Sequence, residues 1–165
     1  MKTFKDNAGR DWTVAINIDA IKRVKGLLEV DLLEAVEGKL LERLVGDPVL
    51  LCDVVYCLCK PEADAKAVSD EDFGRSMAGD AIDRATTALL EELVDFFPSR
   101  RRRLLAKALE KLRTLESMAL TAAQEKLESG ELEERMRRAL AEASPDEPGS
   151  SSGASPEPSE SSPAG

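Results

Sequence analysis

The sequence predicts a mainly α-helical protein in which an N-terminal β-hairpin packs on a bundle of about five to seven helices. Three observations predict this fold. Apolar residues alternate near the N-terminus, apolar residues recur at helical spacing through most of the remaining chain, and the composition changes abruptly after residue 143. The chain therefore divides into a helical domain at residues 1–143, long enough to bury a core, and a disordered tail at residues 144–165.

The N-terminal segment has the pattern of a hairpin. In "DWTVAINI" one side of the predicted second strand carries Trp12, Val14, Ile16 and Ile18. The short strand "KTFK" precedes it with Phe4 inward, and "DNAGR" supplies residues that suit a tight turn. Because an isolated hairpin is marginally stable, we expect its apolar face to lie on the helices.

Two helices are predicted to follow the hairpin. The first is "AIKRVKGLL", with Asp19 as its N-cap. The second spans about residues 31 to 45 and ends at Gly46. Its apolar residues at helical spacing are Leu33, Val36, Leu40, Leu41 and Leu44.

The third predicted helix has a strong start signal, with Asp47 as cap and Pro48 at the first helical position. Its residues are apolar on nearly all sides down to Cys59, which is typical of the buried centre of a domain. The alternative is that one side faces a partner. The segment "KPEADAKAV" after it is predicted to be a linker.

Further helices are indicated along the rest of the chain. "SDEDF" is predicted to be a capping box with Ser69 as cap, and a long helix runs from Asp80 to Phe97. Pro98 ends that helix, and the next continues until a break near Gly130. The charged segment "ELEERMRRALAEA" forms the last helix.

Four consecutive arginines, Arg100–Arg103, follow the turn after the long helix. We expect Arg101, Arg102 and Arg103 to pair with the acidic residues of the preceding turns, which are Glu91, Glu92 and Asp95. A second interpretation is a partner-binding patch, because arginine is enriched at interfaces. A nucleic-acid site has less support, since no aromatic residues are interleaved with the arginines and acidic residues flank them.

The same turn is the predicted partner-binding site. Phe96 and Phe97 are adjacent and about 100° apart on a helix, so both cannot easily face inward. The predicted groove for an apolar helix is lined by Leu93, Phe96, Phe97, Arg101, Arg102 and Leu104. The alternative is that both phenylalanines belong to the core and are covered by the hairpin.

Composition disfavours chemistry and membrane insertion. The chain has no histidine and none of the common phosphate-binding or nucleophile motifs, so we expect no enzymatic activity, no cofactor and no metal. Three cysteines within one apolar run are expected to be reduced and buried. The net charge is −9, no segment is apolar enough to span a membrane, and a cytoplasmic location is expected.

Two blocks of sequence carry a resemblance to a known family. The first is "F-x-D-x-x-G-R-x-W-x-V-x-I" followed by "IKRVK", and the second is "DEDF…GD.I..A..AL..EL..FF" at residues 70 to 97. Together they resemble the tail assembly chaperones of tailed phages and prophages over roughly residues 4 to 113. The Ser/Pro-rich tail lies outside the resemblance.

The resemblance implies a function without catalysis. Members of that family bind the tape measure protein in the bacterial host cytoplasm, assist delivery of tail tube protein, and do not remain in the virion. Self-association is left open, and neither nucleic acid nor membrane is an expected partner. The alternatives are a structural head–tail or tail component of a phage particle, and a small nucleic-acid-binding regulator acting through the basic residues.

Overall fold

The computed structural model describes residues 1–143 and Gly153. It is mainly helical with an N-terminal two-stranded antiparallel hairpin, which confirms the predicted fold class. The elements are β1 (Lys2–Lys5), β2 (Asp11–Val14), α1 (Ile18–Leu28), a 3-10 helix (Leu32–Glu37), α2 (Lys39–Gly46), α3 (Pro48–Ala65), α4 (Asp70–Arg75), α5 (Asp80–Phe96), α6 (Ser99–Glu128) and α7 (Glu131–Ala143). The chain divides into two units, with the boundary between residues 119 and 120, within α6. The predicted disorder of residues 144–165 concerns residues outside those described.

The hairpin pairs Phe4 with Trp12, and both side chains are buried in the core. β1 lies against α5 and β2 lies against α3, as expected for a hairpin that must cover its apolar face. The prediction for Ile18 was wrong, because β2 ends at Val14 and Ile18 is the exposed first residue of α1. The predicted cap Asp19 was also wrong. The side chain of Asn17 caps α1 by accepting a hydrogen bond from the Ala20 backbone N–H at 2.9 Å.

The predicted second helix is two helices separated by Gly38, which has a φ of 82°. Residues Leu32–Glu37 adopt 3-10 geometry, in which side chains repeat every three residues instead of every 3.6. This change of period buries Leu32 and Ala35 and exposes Leu33 and Val36, the reverse of the predicted pattern. The second part, α2, buries its leucines and ends at Gly46 as predicted.

Helix α3 begins as predicted, with the carboxylate of Asp47 accepting hydrogen bonds from two backbone N–H groups of the first turn. It is the buried centre of the fold. The predicted linker was wrong, because the helix continues through Pro61 to Ala65. Proline has no N–H to donate to the Cys57 carbonyl, and the guanidinium of Arg23 on α1 donates to that carbonyl at 2.9 Å instead. Arg23 therefore supplies the partner that the helix itself lacks.

The three cysteines are free; Cys57 and Cys59 are buried as predicted, whereas Cys52 is only half-buried. Burial raises the pKa of the Cys59 thiol to about 12. At neutral pH this thiol is therefore protonated and acts as a small apolar side chain.

The later helices follow the predicted boundaries closely. Ser69 caps α4 by accepting a hydrogen bond from the Asp72 backbone N–H at 3.1 Å. Helix α5 ends at Phe96, one residue early, and Phe97 has an extended backbone before Pro98. Gly130, with a φ of 71°, separates α6 from α7 at the predicted break.

Candidate functional site

The predicted partner-binding residues at the end of α5 have different environments. Leu93 and Phe97 have exposed fractions of 0% and 2%, so they belong to the core and do not line an open groove. Phe96 is half-buried, and its ring meets that of Phe97 edge-on with centroids 5.3 Å apart. Helix α5 ends between the two phenylalanines, and the extended backbone at Phe97 turns its side chain into the core.

Within the arginine run, Arg102 stabilises the turn between α5 and α6. Arg102 donates from Nε to the Phe97 carbonyl at 3.2 Å and from Nη2 to the Asp95 carbonyl at 2.8 Å. These carbonyls lie at the C-terminus of α5, where no N–H of the same helix reaches them. Arg101 and Leu104 are exposed on the first turns of α6.

The predicted pairing of Arg101–Arg103 with three carboxylates was wrong. Among residues 1–143, those carboxylates have other cationic partners: Lys2 lies 3.4 Å from Glu91 and 3.5 Å from Asp95, Arg113 lies 3.7 Å from Glu91, and the Met1 amino group lies 2.8 Å from Glu92. The hairpin and the middle of α6 are thus nearer to the acidic side of α5 than the arginine turn is.

Glu92 is the buried carboxylate of this group. Its Oε1 accepts a long hydrogen bond of 3.4 Å from the Ile16 backbone N–H. Its Oε2 makes the ion pair with the Met1 amino group but has no hydrogen-bond donor aligned with it. Glu92 therefore links the start of the hairpin to α5 in the core and is not available to a partner.

An open cleft lies between α5 and α6 within the first unit and has a volume of about 610 Å³. Its apolar lining consists of Val94, Ala106, Leu109 and Met118. Its charged lining consists of Lys2, Glu91, Asp95, Glu110 and Arg113. A lining that combines apolar side chains with charges of both signs suits the apolar face of an amphipathic helix, whose polar flanks would meet the charged side chains.

The apolar surface of α6 extends beyond what the core covers. Leu105 and Leu109 are buried, whereas Leu104, Leu115 and Met118 each have an exposed fraction of 62%. The sequence analysis did not identify Met118 or the cleft. The length of the apolar stripe on α6 could have indicated them, because this stripe continues past the last residue that α5 can cover.

The first block of the resemblance forms a buried polar cluster around Asp6. The Oδ2 atom of Asp6 accepts hydrogen bonds from Trp12 Nε1 at 2.9 Å, Arg10 Nε at 2.7 Å and the Ser76 hydroxyl at 3.1 Å. Burial opposes ionisation of Asp6, but these hydrogen bonds outweigh it and lower its pKa to about 2. Arg10 also donates to the Asp72 carbonyl at 3.1 Å, so the first block is joined directly to the second.

Comparison of the chain with protein-family models, with curated proteins and with solved structures finds no match. In the part of the chain that the structure describes, no helix is long and apolar enough to cross a membrane. In the same part of the chain, no group of three or more Cys, Asp or Glu side chains is placed to hold a metal ion.

Proposed function

We propose that this chain is a tail assembly chaperone of a tailed phage or prophage. It binds an apolar helical segment of the tape measure protein, keeps it soluble in the host cytoplasm until the tail assembles, and performs no chemistry. The observation that carries the proposal is the cleft between α5 and α6, whose lining combines apolar side chains, among them the exposed Met118, with charged side chains of both signs.

The cleft has the properties that binding of a helix requires. Amphipathic helices bind by laying residues at helical spacing into an apolar groove, and affinity comes mainly from the apolar area removed from water. Met118, with an exposed fraction of 62%, is the large apolar side chain of the lining that offers this area, because Val94 and Leu109 are buried in the core. The flanking pair of Arg113 and Glu91, 3.7 Å apart, can exchange partners with charges on a bound helix.

The resemblance supports the same function. Its two blocks, distant in sequence, are joined in the fold by the hydrogen bonds of Asp6 with Ser76 and of Arg10 with Asp72. Both blocks therefore belong to one packed unit, and the second block includes α5, the helix that forms one wall of the cleft. Delivery of tail tube protein, also implied by the resemblance, is part of the proposal.

The test is co-expression with a candidate tape measure protein, with the soluble fraction of that protein as the readout. Met118→Glu places a charge in the apolar lining of the cleft and should abolish the gain in solubility. Leu104→Glu is the matched control, because Leu104 has the same exposed fraction but does not line the cleft. The control should retain the full gain in solubility.

Three results would count against the proposal. If the wild-type chain does not increase client solubility, the function is wrong. If Leu104→Glu abolishes the effect and Met118→Glu does not, the binding surface is the arginine turn and not the cleft. If the chain is found in purified phage particles at the level of structural subunits, it is a component of the particle.

A further inference from the structure

The two edges of the hairpin differ in how their outward backbone groups are satisfied. In an antiparallel pair, residues that bond across the pair alternate with residues whose N–H and C=O point away from it. The hydrogen bond from the Asp6 N–H to the Arg10 carbonyl sets this alternation for the hairpin. The residues whose backbone groups point outward are Thr3 and Lys5 on β1, and Asp11 and Thr13 on β2. These groups decide whether a further strand can be added at either edge.

The outer edge of β2 is closed by side chains at the end of α3. Glu62 accepts a hydrogen bond from the Thr13 N–H at 2.9 Å, and the Cys59 thiol donates to the Thr13 carbonyl at 3.5 Å. Lys66 donates from Nζ to the Asp11 carbonyl. A strand added at this edge would have to displace all three side chains.

The outer edge of β1 is open at Thr3, which is exposed. Within residues 1–143, the structure shows no hydrogen bond to the outward N–H or C=O of Thr3, or to the outward N–H of Lys5. The Lys5 carbonyl, in contrast, accepts a hydrogen bond from Arg84 Nε at 3.1 Å. A donor, an acceptor and a second donor therefore face outward along this edge, at the spacing that matches another extended backbone.

A groove with a volume of about 530 Å³ lies beside this edge, between β1 and α5. Neighbouring residues on adjacent strands point to the same face of a sheet, so an added strand would turn alternate side chains into this groove. Its α5 wall includes Thr87 and Ala88, whose short side chains leave room for them. The charged residues of the lining are Lys2, Asp83, Arg84 and Glu91, with neither sign in excess. The groove therefore suits small, uncharged side chains.

The position of α5 excludes the hairpin of a second copy as the added strand. Helix α5 packs against β1 far more extensively than against β2, so it lies beneath the edge strand. Symmetric pairing of two β1 strands would bring two copies of α5 to within about 5 Å, the spacing between strands, whereas helices pack no closer than about 8 Å. An extended segment without a helix beneath it meets no such obstacle.

We propose that the open edge of β1 binds an extended segment of a partner protein, which adds as a third strand with small, uncharged side chains over Thr87 and Ala88. Main-chain hydrogen bonds to Thr3 and Lys5 supply the affinity, and the groove selects the side chains. The helix-binding cleft shares only Lys2 and Glu91 with the lining of this groove. The proposal therefore does not rest on the cleft and holds whether or not the chain is a chaperone.

The first test uses a peptide of alternating threonine and valine, blocked at both ends, as the probe. Amide hydrogen exchange of the full chain, followed by NMR, is the readout. The Thr3 and Lys5 amides should exchange rapidly in the free chain and slowly at saturating peptide, while the Thr13 amide, already bonded to Glu62, should not change. Unchanged exchange at Thr3 and Lys5 would overturn the proposal. Slow exchange at both without peptide would also overturn it, because the chain's own tail or a second copy would already cover the edge.

A second test removes the hydrogen bonds one partner at a time. Thr3→Pro deletes the outward N–H and should weaken peptide binding roughly tenfold, whereas Thr3→Val keeps it and should bind as the wild type does. Proline is tolerated in edge strands, and circular dichroism checks the fold of both variants. Met118→Glu, in the cleft, is a further control and should bind the peptide normally.

A modified probe covers the case in which Thr3→Pro does not fold. The same peptide methylated at every backbone nitrogen has no N–H to donate to the Thr3 carbonyl, so it should not slow exchange in the wild-type chain. Binding of this peptide, or equal binding of the unmodified peptide by folded Thr3→Pro and Thr3→Val, would show that strand addition is not the mode of recognition.

Discussion

Asp6 accepts a hydrogen bond from the hydroxyl of Ser76, 70 residues later in the chain, at 3.1 Å. The same oxygen accepts from the indole N–H of Trp12 at 2.9 Å, and the Trp12 ring contacts Phe73 edge-on with centroids 5.1 Å apart. One buried carboxylate thus ties the hairpin turn to the end of α4. Asp6 and Trp12, which belong to the first block of the resemblance, therefore have a role in folding.

Replacing this carboxylate should destabilise the fold. Asp6→Ala removes the acceptor for Trp12, Arg10 and Ser76 and leaves buried donors unpaired, so we expect a loss of roughly 2–3 kcal/mol in the free energy of unfolding. Asp11→Ala is the control, because Asp11 is an exposed hairpin residue paired loosely with Lys5 at 3.6 Å. Urea unfolding followed by circular dichroism measures both. Equal stabilities for the two variants would contradict the role of Asp6.

Acid should weaken the fold through the same residue. The pKa of Asp6 is about 2 in the folded chain, below its ordinary value of 3.8, so the folded state binds this proton less readily than the unfolded state. Its contribution is complete above pH 3.8, on the order of 2 kcal/mol, and is lost as pH falls from 3.8 to 2. Unfolding free energies of the wild type and of Asp6→Ala should therefore converge over that range. Parallel curves would show that Asp6 has an ordinary pKa.

Arg23 should contribute to the stability of the fold, because Pro61 leaves the Cys57 carbonyl without a backbone donor. Arg23→Met leaves the Cys57 carbonyl without its donor, and we expect a loss of about 1–2 kcal/mol in the free energy of unfolding. In a Pro61→Ala background the restored backbone N–H can serve that carbonyl, so the same substitution should cost less. A double-mutant cycle measures the difference. Additive effects of the two substitutions would mean that Arg23 acts through its other contacts, the ion pair with Asp19 and the hydrogen bond to the Leu58 carbonyl.

The two adjacent phenylalanines should differ in their effect on stability. Phe97→Ala empties a fully enclosed site and should lower the free energy of unfolding by about 3–5 kcal/mol. Phe96→Ala removes a half-buried ring and should cost clearly less, while leaving the binding of a client unchanged. Thermal unfolding of both variants gives the comparison. A larger loss at Phe96 than at Phe97 would contradict the placement of the helix end.

Much of the fold follows from local rules, and the errors have identifiable physical causes. Caps at Asp47 and Ser69 and the break at Gly130 are recognisable because their signals lie within a few residues of the feature. The local sequence does not reveal the interruption at Gly38 or the continuation of α3 through Pro61, since each depends on tertiary contacts. Arg23, which satisfies the carbonyl that proline leaves unpaired, is 34 residues from Cys57 in sequence.

The site was predicted less well than the fold. The turn was correctly located, but helical periodicity alone cannot show that α5 ends between Phe96 and Phe97 and so buries Phe97. The cleft depends on the distance between two helices, which a linear sequence does not encode directly.

The central claim is that the cleft between α5 and α6 holds a helix of the tape measure protein. Hydrogen exchange of the purified chain, alone and in complex with that protein, tests it most directly. Binding should slow exchange in peptides covering residues 91–95 and 106–118, which line the cleft, and leave residues 70–76 of α4 unchanged. Protection confined to residues 96–104, or none at all in the presence of saturating client, would contradict the account.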